Sequence, residues 1–414
     1  MPPSPKARVF SWALYDFANT MFSMNMLSMY FPLWVTQDMG GRDIYYSIAL
    51  SVSVVAAGAV MPVIGAVSDR RKSRMPFLVV LTLLCISATA AISLSSSLFL
   101  ALVLFSIANF GYQAALAPYD SLLPEVSDGV NIGRVSGLGV ALGYLGSIGG
   151  LLMVKPFVDS GGRSAAFLPT AILFLVFAIP CFLFVREHSS KKPKKSYGIK
   201  REFRKIFLTL KNTRRYPGLL RFLVANIIYS DAVNTVIVFM AVYASKAIGM
   251  DDKAIRTFLI VSTVFAAVGS FIAGKVTDWL GPKRALMQAL LMWAITMLIA
   301  CFSFSKAVFW TVGPLAGISL GSTWVASRAL VARLSPPRKF GEVYGLYNLG
   351  GKFGFVLGPL VWGGIILAFE PLGIVRYRIA IFSLLMFILV AMYVLRKVQI
   401  NENKEVARDA GTTA

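Results

Sequence analysis

Long apolar blocks separated by short polar connections run along this chain, and the first block carries a polar stripe. Within 11–35, Asp16, Asn19, Thr20 and Ser23 fall at i, i+3, i+4 and i+7, so a helix there places them on one face. Some 215 residues later Tyr229, Ser230, Asp231, Asn234 and Thr235 repeat the D-x-x-N-T core inside another apolar run. A carboxylate in such a run is expensive in lipid and marks a functional position by default. About 20 apolar residues suffice for one helix to cross a bilayer. Twelve such blocks can be placed, at 11–35, 44–67, 76–94, 98–118, 134–154, 165–185, 219–246, 254–274, 284–303, 307–330, 342–368 and 376–396.

The repeat extends beyond the two carboxylates. Gly65, Val67, Ser68 and Asp69 follow the second block, and Gly274, Val276, Thr277 and Asp278 follow the eighth, giving a shared G-x-V-[ST]-D. The fifth and eleventh blocks open alike, on Val135, Gly137, Leu138 and on Val343, Gly345, Leu346. Landmarks in the same order predict an all-α membrane protein of twelve transmembrane helices in two pseudo-symmetric six-helix halves, related by an axis along the membrane normal. The expected divisions are a cytoplasmic N-terminus at 1–10, a first half at 11–185, a basic linker at 186–217, a second half at 218–396 and a tail at 397–414. The tail is polar and expected to be disordered. The N-terminal block is too long and too polar-faced for a cleaved signal peptide and is expected to remain as the first helix.

Composition agrees with the pattern. The 414 residues are 57% hydrophobic and 14% charged, whereas a soluble domain carries about a quarter charged residues. The net charge of +22 raises nucleic acid as a partner. However, the cations sit in alternate loops, at Lys6 and Arg8, at 70–74, in the linker, at Lys283 and Arg284, at 333–339, and at Arg396 and Lys397. That is the positive-inside signature, which puts both termini in the cytoplasm. No nucleic-acid-reading motif is present. Anionic lipid is the partner expected for the basic linker, where 199–210 has the pattern of an amphipathic surface helix or of a solvated connection. Cys85, Cys181 and Cys301 lie in different apolar blocks without metal-ligand spacing, and the single histidine, His188, lies in the linker. A catalytic or proton-relay histidine inside the membrane is therefore excluded by count, and a membrane-embedded enzyme, which would want a His/Asp/Glu or Cys constellation at one membrane face, is not expected. No G-x-x-x-x-G-K-[ST] is present, so ATP-driven transport is unsupported.

The loop after the second block, Gly65 to Asp69 followed by Arg70, Arg71, Lys72 and Arg74, resembles the signature of the major facilitator superfamily. Lys72 and Ser73 replace the usual Gly-basic pair, so which later basic residue completes the charge cluster stays open. A narrower resemblance is to the vacuole-effluxer family, the autophagy-linked amino-acid effluxers of fungal vacuoles and their bacterial relatives. Trp12, Ala13, Leu14, Tyr15, Asp16, Phe17, Ala18 and Asn19 carry it, with Asn109 to Gln113, Leu122 to Pro124, and Gly133, Arg134 and Gly139. The second half adds Ser327 and Arg328, Phe340 to Glu342, Gly345 to Asn348, and Gly351 to Phe353. The resemblance implies the major facilitator fold, a secondary transporter in a bacterial inner membrane, and neutral or bulky apolar amino acids as first substrates. A monomer is expected. The glycines of the fifth block need only close helix packing to explain them.

Two groups of residues are candidates. Asp16, Asn19, Asp231, Asn234, Lys352, Gln113, Tyr347, Asn348 and Trp324 are expected around a central substrate cavity. Asp16 and Asp231 would exchange the coupling proton there, or hold Na⁺ with the asparagine oxygens; no other cofactor is expected. Lys352, about 10 residues into its block and so near mid-membrane, would pair with Asp16, Asp231 or a substrate carboxylate. Asp69, Arg70, Arg74, Asp120, Arg134, Asp278, Arg328 and Glu342 are expected at cytoplasmic helix ends as a gate of ion pairs, with Asp69 facing the start of the eleventh block. Plain helix packing for the carboxylates, and topogenic charge for the gate, are the alternatives at the residue level. At the level of function they are a proton-driven drug or metabolite exporter and a non-transporting scaffold or sensor.

Overall fold

The structure, a computed structural model, describes residues 4–41, 43–71, 73–128, 131–185, 187, 218–336, 339–353 and 357–399, without the side chains at 43, 44, 47, 252, 256, 352 and 353. The expected linker beyond 187, the tail beyond 399 and the side chain of Lys352 fall outside that set. The long helices are α1 (Pro5–Phe22), α2 (Asp43–Arg71), α3 (Met75–Ile92), α4 (Leu98–Ser121), α5 (Ile132–Gly161), α6 (Phe167–Phe184) and α7 (Leu219–Lys246). They continue with α8 (Asp252–Leu280), α9 (Pro282–Phe302), α10 (Lys306–Leu334), α11 (Phe340–Phe353), α12 (Leu357–Ala368) and α13 (Val375–Arg396). Among the described residues, ten helices are long and apolar enough to cross a membrane. The first of the expected twelve spans is present in segments and the eleventh is described on either side of 354–356, so the chain has the twelve-span, two-half helical architecture that its sequence predicts.

The segmentation of the first span has a local cause. Ser4 caps α1 by accepting from the Ala7 N–H at 3.2 Å, with Pro5 opening the helix where its missing N–H does no harm. Beyond Phe22 the span loosens into π-helical turns, Ser23–Met29 and Trp34–Asp38, around the α-helical Tyr30–Leu33. Pro32 lies in that middle piece, and a missing amide there cannot sustain a regular ladder. Of the 342–368 block, expected as one helix, α11 and α12 are described, with 354–356 outside the described residues.

Two apolar cores form. One draws on Trp12, Tyr15, Phe31, Phe105, Tyr119 and Phe174; the other on Phe222, Tyr229, Trp293, Phe309, Tyr344 and Leu384, together with Val63 and Ala66 from α2. Away from the α2 seam they are bridged by a small cluster of Val140, Ala273 and Val325, flanked by Tyr144 and Trp324, and by Ile132, which packs on both cores. The two groups of helices meet along α2 with α11 and along α5 with α8. Glycine makes both seams possible. A Cβ on Gly65 would sit 2.0 Å from the Gly341 carbonyl oxygen, and one on Gly137 2.6 Å from that of Ser270.

These seams belong to one face of the bundle, the near face, where the start of α1, the α2–α3 and α4–α5 connections and the end of α13 lie. Arg8 reaches Asp128 at 2.5 Å there, and Arg221 donates to the Lys397 carbonyl at 2.8 Å. At the far face Arg163 pairs with Asp38, and Tyr46 donates to the Leu27 carbonyl at 2.6 Å; both contacts stay within the first half.

Candidate functional site

The site grows from a lock between α1 and α4. Trp12 Nε1 donates to the Tyr119 carbonyl at 3.3 Å, the Tyr119 hydroxyl donates back to the Trp12 carbonyl at 3.0 Å, and the two rings stack at 4.7 Å. Asp16 lies one turn beyond Trp12, and Asp120 directly follows Tyr119. Both carboxylates are thereby turned toward the same point between the halves. Gly139 of α5 completes the wall, since a Cβ there would stand 2.9 Å from Asp16 Oδ2.

Arg328 of α10 fills that point. Its Nη1 and Nη2 donate to Asp16 Oδ2 and Oδ1 at 2.7 and 3.4 Å, and its Nε lies 3.2 Å from Asp120 Oδ1. Its guanidinium stands 6.0 Å over the Tyr119 ring. Asn348 Nδ2 of α11 donates to the second Asp120 oxygen at 2.9 Å, and the Tyr344 hydroxyl holds the Arg328 carbonyl at 2.9 Å. Side-chain exposure is 14% for Arg328, 6% for Asp16 and 2% for Asp120, so the group is nearly dry. Arg328 is six residues from the end of α10, or about 9 Å inside the near face at 1.5 Å per residue. Two carboxylates from the first half thus share one cation from the second, and charge-assisted pairs of this kind are the strongest polar contacts available. Asp16, assigned in the sequence to the cavity, and Asp120, Arg328 and Asn348 form one cluster; the cation at Asp16 is Arg328.

Nearer the surface, the two G-x-V-[ST]-D motifs do equivalent work. Asp69 accepts from the Gly341 and Glu342 N–H groups at the start of α11, both at 2.9 Å. Asp278 accepts from the Gly133 and Arg134 N–H groups at the start of α5, at 2.7 and 3.0 Å. Each motif therefore caps a helix of the opposite half, where the helix dipole favours a negative charge. The residue completing the cluster at Asp69 is Arg74, 3.1 Å away, which also pairs with Glu125. Glu187 accepts from the Arg74 and Met75 N–H groups at 2.5 and 3.0 Å and so caps α3. Burial pushes the Glu187 carboxyl above its usual range, against the pull of those N–H groups and of Arg74. Arg134 is solvent-exposed, 3.6 Å from Asp278, and Glu342 lies 3.5 Å from Lys339. Arg70 is in the last turn of α2.

The remaining candidates divide. Asp231 Oδ2 accepts from the Gly358 N–H at 2.6 Å, at the first turn of α12 and within its own half. Gln113 donates to Asn109 at 3.4 Å, and Asn109 to Ser53 at 2.7 Å, tying α4 to α2. Asn19 Oδ1 and Gln113 Oε1 are buried acceptors without a protein donor among the described residues, and they lie on the far side of the ion cluster. Trp324 borders the small bridging cluster, Tyr347 stacks on Phe222 at 6.2 Å, and Asn234 is half-buried. Lys352 is in the last turn of α11. Glu125, Glu187 and Asn226 are not singled out by the sequence; Tyr229 and Ser327, which are, join Asn226 in a hydrogen-bonded network that the sequence does not assign to a site. Glu125 directly follows the Leu-Leu-Pro segment and had that signal; Glu187, embedded among lysines and arginines, had none.

The family described as Vacuole effluxer Atg22 like matches residues 42–408. The Bacillus subtilis protein named uncharacterized MFS-type transporter YxiO is 27% identical over 420 residues, which span 96% of each chain. Autophagy-related protein 22-1 of Neosartorya fischeri is 24% identical over 286 residues, covering 62% of this chain and 46% of its own length. Among solved structures, the human organic anion transporter MFSD10 (TETRAN) superposes with a TM-score of 0.79 at 14% identity, covering 95% of this chain and all of that one. The major facilitator transporter FucP in its outward conformation superposes with a TM-score of 0.71 at 13% identity, over 95% and 98% of the two chains. At such identities the likeness concerns the fold.

Proposed function

The chain belongs to the vacuole effluxer Atg22-like family and is a multi-pass secondary transporter of the major facilitator fold, and from this premise we propose that it moves small neutral amino acids by proton-coupled alternating access. The carrying observation is the Asp16–Arg328–Asp120 cluster. Pulling the ionised halves apart would strand these charges in a buried site, whereas a proton on Asp16 removes one of them. A buried uncompensated charge is strongly disfavoured, so protonation and separation of the halves are linked. With the carboxylates ionised, the cluster and the two capped seams hold the near face shut while the far side admits solute. With a proton taken up, Asp16 loses its hold on Arg328 and the halves can rock about the site. Asn19 and Gln113, whose acceptor oxygens lack donors among the described residues, supply bonds suited to the ammonium of an amino acid. The cation bias of the near-face loops supports a cytoplasmic near face, and the likeness to the Bacillus subtilis protein supports a bacterial inner membrane as the compartment.

Counterflow of a labelled neutral amino acid in proteoliposomes, with and without an imposed pH gradient, tests this reading. Wild type is expected to accumulate label when the gradient is applied. Asp16→Asn is expected to retain exchange at equal pH and to lose gradient-driven accumulation. Full gradient-driven uptake by Asp16→Asn would remove Asp16 from coupling, and absence of flux for every amino acid from folded protein would discard the substrate class.

A further inference from the structure

A pocket of about 710 Å³ opens on the near face of the second half, away from the ion cluster. Arg221 enters it from the first turn of α7, Lys283 and Arg284 from the start of α9, Arg333 from the last turn of α10, and Arg396 and Lys397 from the end of α13. No Asp or Glu is among its described lining residues. The equivalent region of the first half is built the other way, with Arg74 against Asp69 and Glu125, and Arg8 against Asp128. The pocket is also held in shape. Lys283 Nζ donates to the Arg396 and Val398 carbonyls at 2.9 and 2.6 Å, and Arg221 to the Lys397 carbonyl at 2.8 Å, fixing the chain after α13 as one wall. The 21-residue α9 begins at its mouth with Gly281 as cap residue and no side chain capping it.

Six cations from four helices around one cavity repel one another, and an uncapped helix start adds positive potential to the same space. Four of the six are arginines, whose planar donor sets match phosphate oxygens two at a time. We propose that this pocket is a binding site for a phosphate-bearing anion, supplied either by the headgroup of an anionic phospholipid of the near leaflet or by a soluble phosphate compound. It stands apart from the ion cluster and does not depend on the transport reading.

The test uses the purified full chain in neutral detergent and titrates short-chain phosphatidylglycerol, short-chain phosphatidylcholine and inorganic pyrophosphate by calorimetry. Arg284→Gln combined with Lys397→Gln removes two cations but leaves Lys283 and Arg221 to hold the chain end. Saturable phosphatidylglycerol binding, absent with phosphatidylcholine and weakened at least tenfold in the double variant, identifies a lipid site. Saturable pyrophosphate binding weakened tenfold, with phosphatidylglycerol no better than phosphatidylcholine, identifies a soluble ligand. Equal affinities in wild type and variant, or no phosphate-specific binding by wild type, overturns the site. Should the double variant lose its thermal transition, Arg284→Gln alone is read by the same criteria, with a threefold weakening expected.

Discussion

Asp16 and Asp231 occupy equivalent places in α1 and α7, and their surroundings begin alike. Thr20 donates to the Asp16 carbonyl at 2.9 Å, and Thr235 to the Asp231 carbonyl at 2.7 Å, one turn on in each case. A glycine of a neighbouring helix presses on each threonine, Gly143 on Thr20 and Gly358 on Thr235. The carboxylates then part company. Asp16 crosses to the other half and takes Arg328; Asp231 takes the Gly358 N–H of α12 within its own half. Local sequence repeats local geometry, whereas the role of each charge is set by what stands near it. An arginine of the other half meets the first, and a backbone N–H of its own half meets the second.

Arg328→Gln should break this asymmetry most severely. It strands two buried carboxylates, a change that costs about 3–5 kcal/mol for comparable buried pairs. Transport should fall about a hundredfold or more, and spin-label distances between the near-face ends of α4 and α10 should lengthen. Unchanged distances would mean that the seams alone close the near face. Asp231→Asn should be milder, because it trades a charge-assisted bond for a neutral one and weakens stability by about 1–2 kcal/mol. Its thermal midpoint should drop while the response to a pH gradient persists; loss of that response would make the two carboxylates functional equals. Smaller still is the contrast within the capping motifs. Asp69→Asn and Asp278→Asn each weaken one cap by about 1 kcal/mol. Asp69→Asn should have the larger effect on the thermal midpoint, since Asp69 also anchors Arg74. Equal shifts in the two variants would show that Arg74 adds nothing at Asp69.

Much of this organisation was legible before any coordinates. The D-x-x-N-T repeat, the G-x-V-[ST]-D repeat and the alternation of basic loops depend on periodicity and spacing, which a single sequence displays. The placement of Asp69 at the start of α11 was readable because a carboxylate after one helix and a matching motif in the other half have few places to meet. The meeting of Asp16, Asp120, Arg328 and Asn348 was not readable, because these four residues lie on four helices and up to 312 residues apart. Their assignment to separate cavity and gate groups followed depth along each helix, and depth does not reveal which helices face one another. The segmentation of the first span was likewise hidden, since its apolar run continues unbroken past Pro32.

The sequence by itself determined that this chain is a duplicated twelve-span membrane transporter, because lipid makes helices of apolar runs and tolerates intramembrane charge only at positions that serve a purpose. The tertiary structure alone decided which charges are spent on one another. Arg328 is committed to Asp16 and Asp120, and Arg74 to Asp69 and Glu125, while the cations around the α7, α9, α10 and α13 ends face a cavity lined by no described carboxylate. The physical reason is distance: pairing of charge falls off over a few ångströms, and only the packed arrangement of helices says which side chains come that close.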